Sequence, residues 1–124
     1  MDLRIPERNI SFFSMLAEPV RLSILRCLLV KGTCSVSELM EKLAKPQTLV
    51  SYHLRCLKDC ELVDGRKSDE DARQIRYSLH DRSFLLKLFE MADDYVVKHI
   101  QCKDHDGCRA KESPTLSNDS VTKP

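Results

Sequence analysis

The sequence predicts a mainly α-helical protein with a two-stranded β wing, the arrangement of a winged helix-turn-helix. Apolar residues recur at helical spacing in several early segments, a hairpin pattern follows at residues 62–79, and a long helix with an apolar face comes last. A chain of 124 residues is the size of one domain. Short helices, a hairpin and a long helix therefore indicate a single winged-helix domain.

Local end signals bound the first three helices. The first helix is expected over residues 10–17, and Pro19 suits the first position of the second helix. Gly32 ends that second helix, since glycine is favoured just beyond a helix C-terminus. Ser35, followed three residues later by Glu38, has the pattern of a capping box and opens a third helix.

The second half of the chain predicts one more short helix, the wing and the long last helix. Pro46 separates the third helix from a fourth, whose apolar residues share one face. Residues 62–63 and 74–79 are expected to pair as a hairpin with an acidic tip at residues 68–71. The last helix begins near Asp81 or Arg82 and keeps its apolar spacing for roughly eighteen residues.

The chain divides into an N-terminal arm at 1–9, the winged helix-turn-helix domain at 10–102 and a polar tail at 103–124. The tail has few aliphatic residues to bury, so we expect it to be disordered. The first and last helices carry more apolar surface than a small core needs, and a homodimer interface is their expected use. The alternative is that both helices complete the core of a monomer.

Composition excludes several classes of function. Twenty basic and nineteen acidic side chains give a net charge of +1, so any face for nucleic acid must be local. No stretch is apolar enough to span a membrane and no signal peptide opens the chain, which favours a cytoplasmic protein without membrane contact. With three glycines and no nucleophile–base set, the sequence predicts neither an enzyme nor a small-molecule substrate.

The fourth helix carries the candidate DNA-binding face. Val50, Leu54 and Leu57 define its buried side. The other side has hydrogen-bonding and cationic groups that suit base edges and phosphates, although a merely solvated helix face has a similar composition. The flanks of the wing add cations for the phosphate backbone. The candidate DNA-binding residues are Gln47, Thr48, Ser51, Tyr52, His53, Arg55, Lys58, Arg66, Lys67, Arg73 and Arg76.

Six cysteines are many for a cytoplasmic chain, in which disulfides are rarely kept. Cys56 and Cys60 lie four residues apart on the fourth helix, at the spacing with which histidines at i and i+4 hold zinc. A disulfide between them would be strained. Two semi-buried thiols without a ligand are the alternative.

A second group of possible metal ligands follows the last helix at intervals of three residues. Thiols and imidazoles are soft or borderline ligands for metals, and a polar tail has no core in which thiols could be buried. Chance clustering in a short stretch is the alternative. The four residues are His99, Cys102, His105 and Cys108.

Two runs, LAEPVRLSIL at residues 16–25 and VSYHLRCL at 50–57, resemble the ArsR/SmtB family of bacterial and archaeal metal-responsive repressors. The resemblance covers about residues 10–102. It implies a dimeric winged-helix repressor that binds double-stranded operator DNA in its metal-free form and dissociates when metal binds.

The run SYHLRCLKDCELV at residues 51–63 is similar to the CmtR cadmium- and lead-sensing branch of that family. That branch uses two cysteines of the recognition helix and one from the C-terminal region, and the resemblance implies Cys56, Cys60 and Cys102 as ligands. Cys27 and Cys34 match no ligand position in the branch.

The function expected from the resemblance is a repressor that responds to Cd(II) or Pb(II). As(III) and Zn(II) are alternative inducers, because thiolates alone do not rank thiophilic ions. Cys108, His105 and His99 are further candidate ligands; the spacing of Cys102 and Cys108 resembles that of the tail thiols of some arsenite sensors. A thiol-based redox regulator on the same scaffold is the other alternative.

Overall fold

The structure, a computed structural model, describes residues 4–100. Its contacts divide the chain into two compact units, Met1–Arg82 and Ser83–Pro124. The elements follow in the order α1 (Glu7–Leu16), α2 (Pro19–Lys31), β1 (Thr33–Ser35), α3 (Val36–Leu43), α4 (Gln47–Asp59), β2 (Val63–Lys67), β3 (Ile75–Leu79) and α5 (Arg82–His99). The predicted fold class is confirmed, with α3 and α4 as the helix-turn-helix and β2 and β3 as the wing.

The predicted end signals are present at α2 and α3. The Glu18 side chain accepts a hydrogen bond from the Arg21 N–H at 2.8 Å, and Gly32 ends α2 with a φ of 91°, which glycine adopts at little cost. At α3, Ser35 Oγ accepts from the Glu38 N–H at 3.2 Å, and Glu38 Oε1 accepts from the Ser35 N–H at 2.9 Å. The capping box is therefore reciprocal, as the sequence predicted.

The start of α1 differs from the prediction. The helix begins at Glu7 rather than Ile10, directly after Pro6, whose backbone is extended with φ −60° and ψ 145°. A carboxylate in the first turn is favourable because it lies at the positive end of the helix dipole. Residues 7–9, expected to belong to the arm, are thus the first turn of α1.

The sheet has three strands rather than two, in the antiparallel order β1-β3-β2. Thr33 pairs with Ser78 on one edge of β3, while Asp64 pairs with Ser78 on the other edge. The sequence does not predict β1, because a three-residue strand between Gly32 and the capping box is too short to show an alternation of apolar and polar residues. The wing is therefore anchored by a strand that precedes the helix-turn-helix.

The core of the first unit lies where α2, α3, α4 and the sheet contact one another. Its apolar residues on α4 are those that periodicity assigned to the buried side. The fully or almost fully buried apolar side chains of this unit include Ile24, Leu25, Leu28, Cys34, Leu39, Val50, Leu54, Leu57 and Val63. Packing of these residues fixes α4 against α2 and α3 and leaves the other side of α4 in solvent.

Two helices expose large apolar side chains. In α1, Ile10 is 52% and Phe13 59% exposed. The described part of the second unit is α5, whose exposed apolar residues are Phe84, Met91, Tyr95, Val96 and Val97. Across residues 4–100, none of the helices combines the length and the hydropathy that crossing a bilayer requires.

Candidate DNA-reading helix and thiol pair

The side of α4 away from the core carries polar side chains; it is the candidate DNA-binding surface, and we call it the reading face. Tyr52 is 52% exposed, and Ser51 is half-buried at the margin of the face. Such side chains donate and accept hydrogen bonds or carry positive charge, as recognition of base edges and phosphates requires. The reading face comprises Gln47, Thr48, Ser51, Tyr52, Arg55 and Lys58.

His53 lies in the core and not on the reading face, which corrects its assignment as a DNA-binding residue. Its residue exposure is 6%, and its Nδ1 lies 3.1 Å from Arg21 Nη1. A guanidinium only donates, so His53 Nδ1 must accept and the ring proton must be on Nε2. That nitrogen faces Glu18 Oε1 at 3.8 Å. Position 53 is three residues after Val50, so the helical repeat already places it on the buried side.

A polar link connects the reading helix to α2 and α1 through His53. Arg21 of α2 donates from Nη1 to the His53 ring and from Nε to the Met15 carbonyl of α1 at 2.8 Å. On α4, the Tyr52 ring lies edge-on to the His53 ring, with centroids 5.1 Å apart. Hydrogen bonds with fixed directions restrict the rotation of α4 more than apolar packing alone. The orientation of the reading face thus depends on residues that do not belong to it.

The wing presents its cations in different ways. Arg66 and Lys67 of β2 are exposed. Arg73, whose side chain is 92% exposed, contacts Asp71 through a 3.4 Å approach of Nε to Oδ1. The Asp71 carboxylate also accepts from the Arg73 N–H at 3.0 Å, and Ser68 Oγ accepts from the Asp71 N–H at 3.4 Å. The acidic tip therefore holds Arg73 beside it, while the flanking strand keeps two cations in solvent.

Arg76 is engaged within the protein. Its guanidinium donates to the hydroxyl and carbonyl oxygens of Thr33 and to Glu38 Oε1, at 2.9–3.1 Å. The structure thus brings Arg76 to the start of α3 rather than into the exposed row of wing cations. Its partners lie about forty residues earlier in the chain, a separation that local sequence patterns do not report.

The thiol pair, Cys56 and Cys60, lies at the C-terminal end of the reading helix. Cys56 is half-buried within α4, and Cys60 is the exposed C-cap residue, because the helix ends at Asp59. The Cys60 N–H donates to the Cys56 carbonyl oxygen at 3.2 Å, so the two residues are one helical turn apart. Glu61 follows with a φ of 59° and turns the chain toward β2. Both thiols are free, and one of them faces solvent.

The other two described cysteines have a different setting. Cys34 of β1 is 1% exposed and Cys27 of α2 is half-buried. Burial raises the pKa of both thiols, and for Cys27 it does so against the opposing effect of Lys42. The raised pKa disfavours the thiolate of both residues, and the buried Cys34 packs as a small apolar member of the core.

Among residues 4–100, no group of three or more His, Cys, Asp or Glu side chains is placed to hold a metal ion. His99, the last residue of α5, is exposed, and its ring centroid lies 4.7 Å from that of Tyr95. The predicted ligands Cys102, His105 and Cys108 lie outside the described residues.

A helix-turn-helix with a solvent-facing polar second helix and an anchored wing defines a winged helix-turn-helix regulator. Residues 18–64 match the family described as "Bacterial regulatory protein, arsR family". The transcriptional repressor SmtB homolog of Synechocystis is 32% identical, over 84% of this chain and 72% of its own length. The chain belongs to the ArsR/SmtB family, as the resemblance implied.

Other relatives carry the names of metal-related regulators. A probable mercury resistance operon repressor of Streptomyces lividans and the regulator CmtR of Mycobacterium tuberculosis are each 38% identical over 61% of this chain. The chain spans 58% and 61% of their lengths, respectively. All three relatives are regulators of transcription, which confirms the expectation that the chain is not an enzyme.

The fold is shared with a solved structure. NolR from Sinorhizobium fredii has a TM-score of 0.59 and is 31% identical, with 77% of this chain and 97% of that chain covered. The winged-helix arrangement therefore extends over almost the whole of that neighbour.

Proposed function

We propose that this chain is a metal-sensing transcriptional repressor. It binds operator DNA as a homodimer in its metal-free form and dissociates when a thiophilic ion binds Cys56 and Cys60. The observation that carries the proposal is that a pair of free thiols ends the same helix whose outer side is the reading face. Ligand binding and DNA reading then share one rigid element.

Exposure and charge support DNA as the partner. The reading face is in solvent, and Arg66 and Lys67 offer phosphate contacts beside it. Because the net charge of the chain is only +1, this local basic surface and not the whole protein would attract DNA.

The exposed apolar side chains of α1 and α5 support a homodimer. Phe13, Met91 and Val97 are each more than half exposed, and large exposed apolar patches mark interaction sites. Two-fold symmetry would present two reading helices to half-sites about one helical turn apart, as palindromic operators require.

The setting of the thiol pair supports a soft metal ion as the inducer. Thiolates prefer heavy, thiophilic ions to Mg²⁺ or Ca²⁺, and a partly exposed pair is accessible to an ion that arrives from solvent. The similarity to CmtR favours Cd(II) or Pb(II), with Cys102 as the third ligand. Zn(II) and As(III) are the alternatives, and the name of the Streptomyces relative adds Hg(II) as a candidate. His99, His105 and Cys108 are further candidate ligands.

Release of DNA follows if the arrangement of thiols that holds the ion differs from the one that fits the major groove. Metal bound to Cys56 and Cys60 would then hold the end of α4 in an orientation that does not fit the major groove. By linkage, DNA must weaken metal binding by the same factor by which metal weakens DNA binding, typically about 5–150-fold. The thiols need not touch DNA for this coupling.

The test is a competition among Cd(II), Pb(II), Zn(II), As(III) and Hg(II), read by the fluorescence anisotropy of labelled operator DNA. We expect Cd(II) or Pb(II) to release the DNA at a lower concentration than the other ions, together with thiolate–metal charge-transfer absorption. Release by peroxide and by none of the ions would replace the proposal with the thiol-redox alternative. A parent chain that does not bind operator DNA at all would contradict both.

A further inference from the structure

Arg76 connects three parts of the first unit with one guanidinium. Its Nε and Nη2 donate to Thr33 Oγ1 at 3.1 and 2.9 Å, and Nη2 also donates to the Thr33 carbonyl at 3.1 Å. The same Nη2 lies 3.1 Å from Glu38 Oε1. Arg76 belongs to β3, Thr33 to β1 and Glu38 to α3. We call this group of three residues the Arg76 clasp.

Glu38 has two tasks in the clasp. Its Oε1 accepts from the Ser35 N–H at 2.9 Å, which closes the start of α3, and it accepts from Arg76 of the wing. The hydrogen bond from the Ser35 backbone, followed by the one from Arg76, lowers the pKa of the Glu38 carboxyl. One ionised carboxylate therefore joins the first helix of the helix-turn-helix to the central strand of the sheet.

Arg66 provides the contrast, because it is the residue directly opposite Arg76 on β2. Arg66 is exposed, whereas the Arg76 side chain is only 30% exposed and its donors are directed at Thr33 and Glu38. A cation that neutralises a phosphate releases counterions, which makes binding depend on salt. A cation that is already paired within the protein releases no such counterions and therefore adds nothing to the salt dependence.

We propose that Arg76 and Glu38 are positioning residues, which set the wing against the helix-turn-helix so that other cations reach the DNA. The inference rests on the proposed DNA-binding function and assigns Arg76 a role other than the phosphate contact that its place in a basic wing suggests. In this arrangement Arg66 contributes to the salt dependence of operator binding and Arg76 does not, although both support affinity.

The first experiment measures operator affinity between 50 and 200 mM salt for the parent and four variants. Arg66→Gln should lower the slope of log affinity against log salt by about one. Arg76→Gln should weaken binding roughly five-fold or more with the slope unchanged, and Arg76→Lys, which keeps the charge but loses the fork, should recover part of that loss. Glu38→Gln keeps an acceptor for the Ser35 N–H and should match Arg76→Gln. The double variant of Glu38 and Arg76 should be no weaker than either single one.

The second experiment measures amide hydrogen exchange of β1 and β3 in the DNA-free protein. Arg76→Gln and Glu38→Gln should speed exchange there, while Arg66→Gln should not. A slope lowered by about one in Arg76→Gln, or parent-like exchange in both clasp variants, would overturn the inference. If the parent chain did not bind operator DNA, the proposed function would fail, and exchange would still decide whether the clasp fixes the wing.

Discussion

Two pairs of cysteines in this chain have the same chemistry and opposite settings. Cys27 and Cys34 are held in or near the core, where burial raises the pKa of both thiols. Cys56 and Cys60 lie at the end of the reading helix, one half-buried and the other exposed. A count of cysteines therefore carries little information until each thiol is placed: among residues 4–100, Cys60 is exposed and Cys34 is buried, and only Cys56 and Cys60 lie on or at the end of α4.

Alkylation rates provide the largest expected contrast. Cys60 should react with iodoacetamide in the native protein at nearly the rate of a free thiol. Cys34 is 1% exposed and should react only when the structure opens, so its rate should be at least about a hundred-fold lower. Mass spectrometry of timed samples measures both rates, with the urea-unfolded chain as the control. Equal native rates for the two thiols would remove the comparison.

Substitutions in the two pairs of cysteines should differ by tens-fold in the metal concentration that is required to release DNA. Cys56→Ser and Cys60→Ser should leave operator binding largely intact but blunt or abolish release, because each removes one thiolate ligand. Cys102→Ser should do the same if the third ligand is the one that the similarity to CmtR implies.

The matched controls for that experiment are Cys27→Ser and Cys34→Ala, which should release DNA at the parent's metal concentration. Cys108→Ser should have at most an intermediate effect. Parent-like release by Cys56→Ser would show that α4 does not carry the ligands. Parent-like release by Cys102→Ser would remove only the third thiolate.

The free energy of unfolding should depend more on the buried thiol of Cys34 than on the exposed thiol of Cys60. Cys34→Ala deletes a fully buried sulfur and should lower the free energy of unfolding by about 1–2 kcal/mol. Cys60→Ala is an exposed change and should stay within about 0.5 kcal/mol of the parent. Urea unfolding followed by circular dichroism measures both. A larger loss for Cys60→Ala would mean that the C-cap residue supports the fold.

The smallest expected effect is the dependence of stability on alkaline pH. The raised pKa values of Cys27 and Cys34 keep both thiols protonated in the folded chain above 9.0, the ordinary value at which they ionise when unfolded. Their contribution is therefore complete below that pH and is lost as the pH rises toward the folded values. The difference in free energy of unfolding between parent and Cys34→Ala should accordingly narrow between pH 8 and 10. A constant difference would contradict the buried-thiol description.

Local signals in the sequence were sufficient for most of the fold. The capping box of Ser35 and Glu38, the helix-ending Gly32 and the apolar repeat on α4 act within one or two turns, so their structural outcome follows from neighbouring residues. The strand at Thr33–Ser35 was missed because its pairing partner lies more than forty residues later. Pairing at that distance leaves no local pattern.

The same distinction applies to the site. The reading face follows from helical periodicity, and the spacing of Cys56 and Cys60 places them one turn apart. His53 is buried, as its position three residues after Val50 indicates. The role of Arg76 could not be predicted, since Thr33 and Glu38 come to it only through the tertiary fold.

The pairing of β1 with β3 has a consequence for folding kinetics. The hairpin of β2 and β3 closes over the seven residues 68–74, but the contact between Thr33 and Ser78 closes a much longer loop that contains the whole helix-turn-helix. Loop-closure entropy makes such a long-range contact slow to form, so we expect β1 to dock in a late step, after α3 and α4 have packed. A substitution at Thr33 should then accelerate unfolding while it leaves the refolding rate nearly unchanged. The short strand β1 would then complete the sheet after the helix-turn-helix and the wing have already formed.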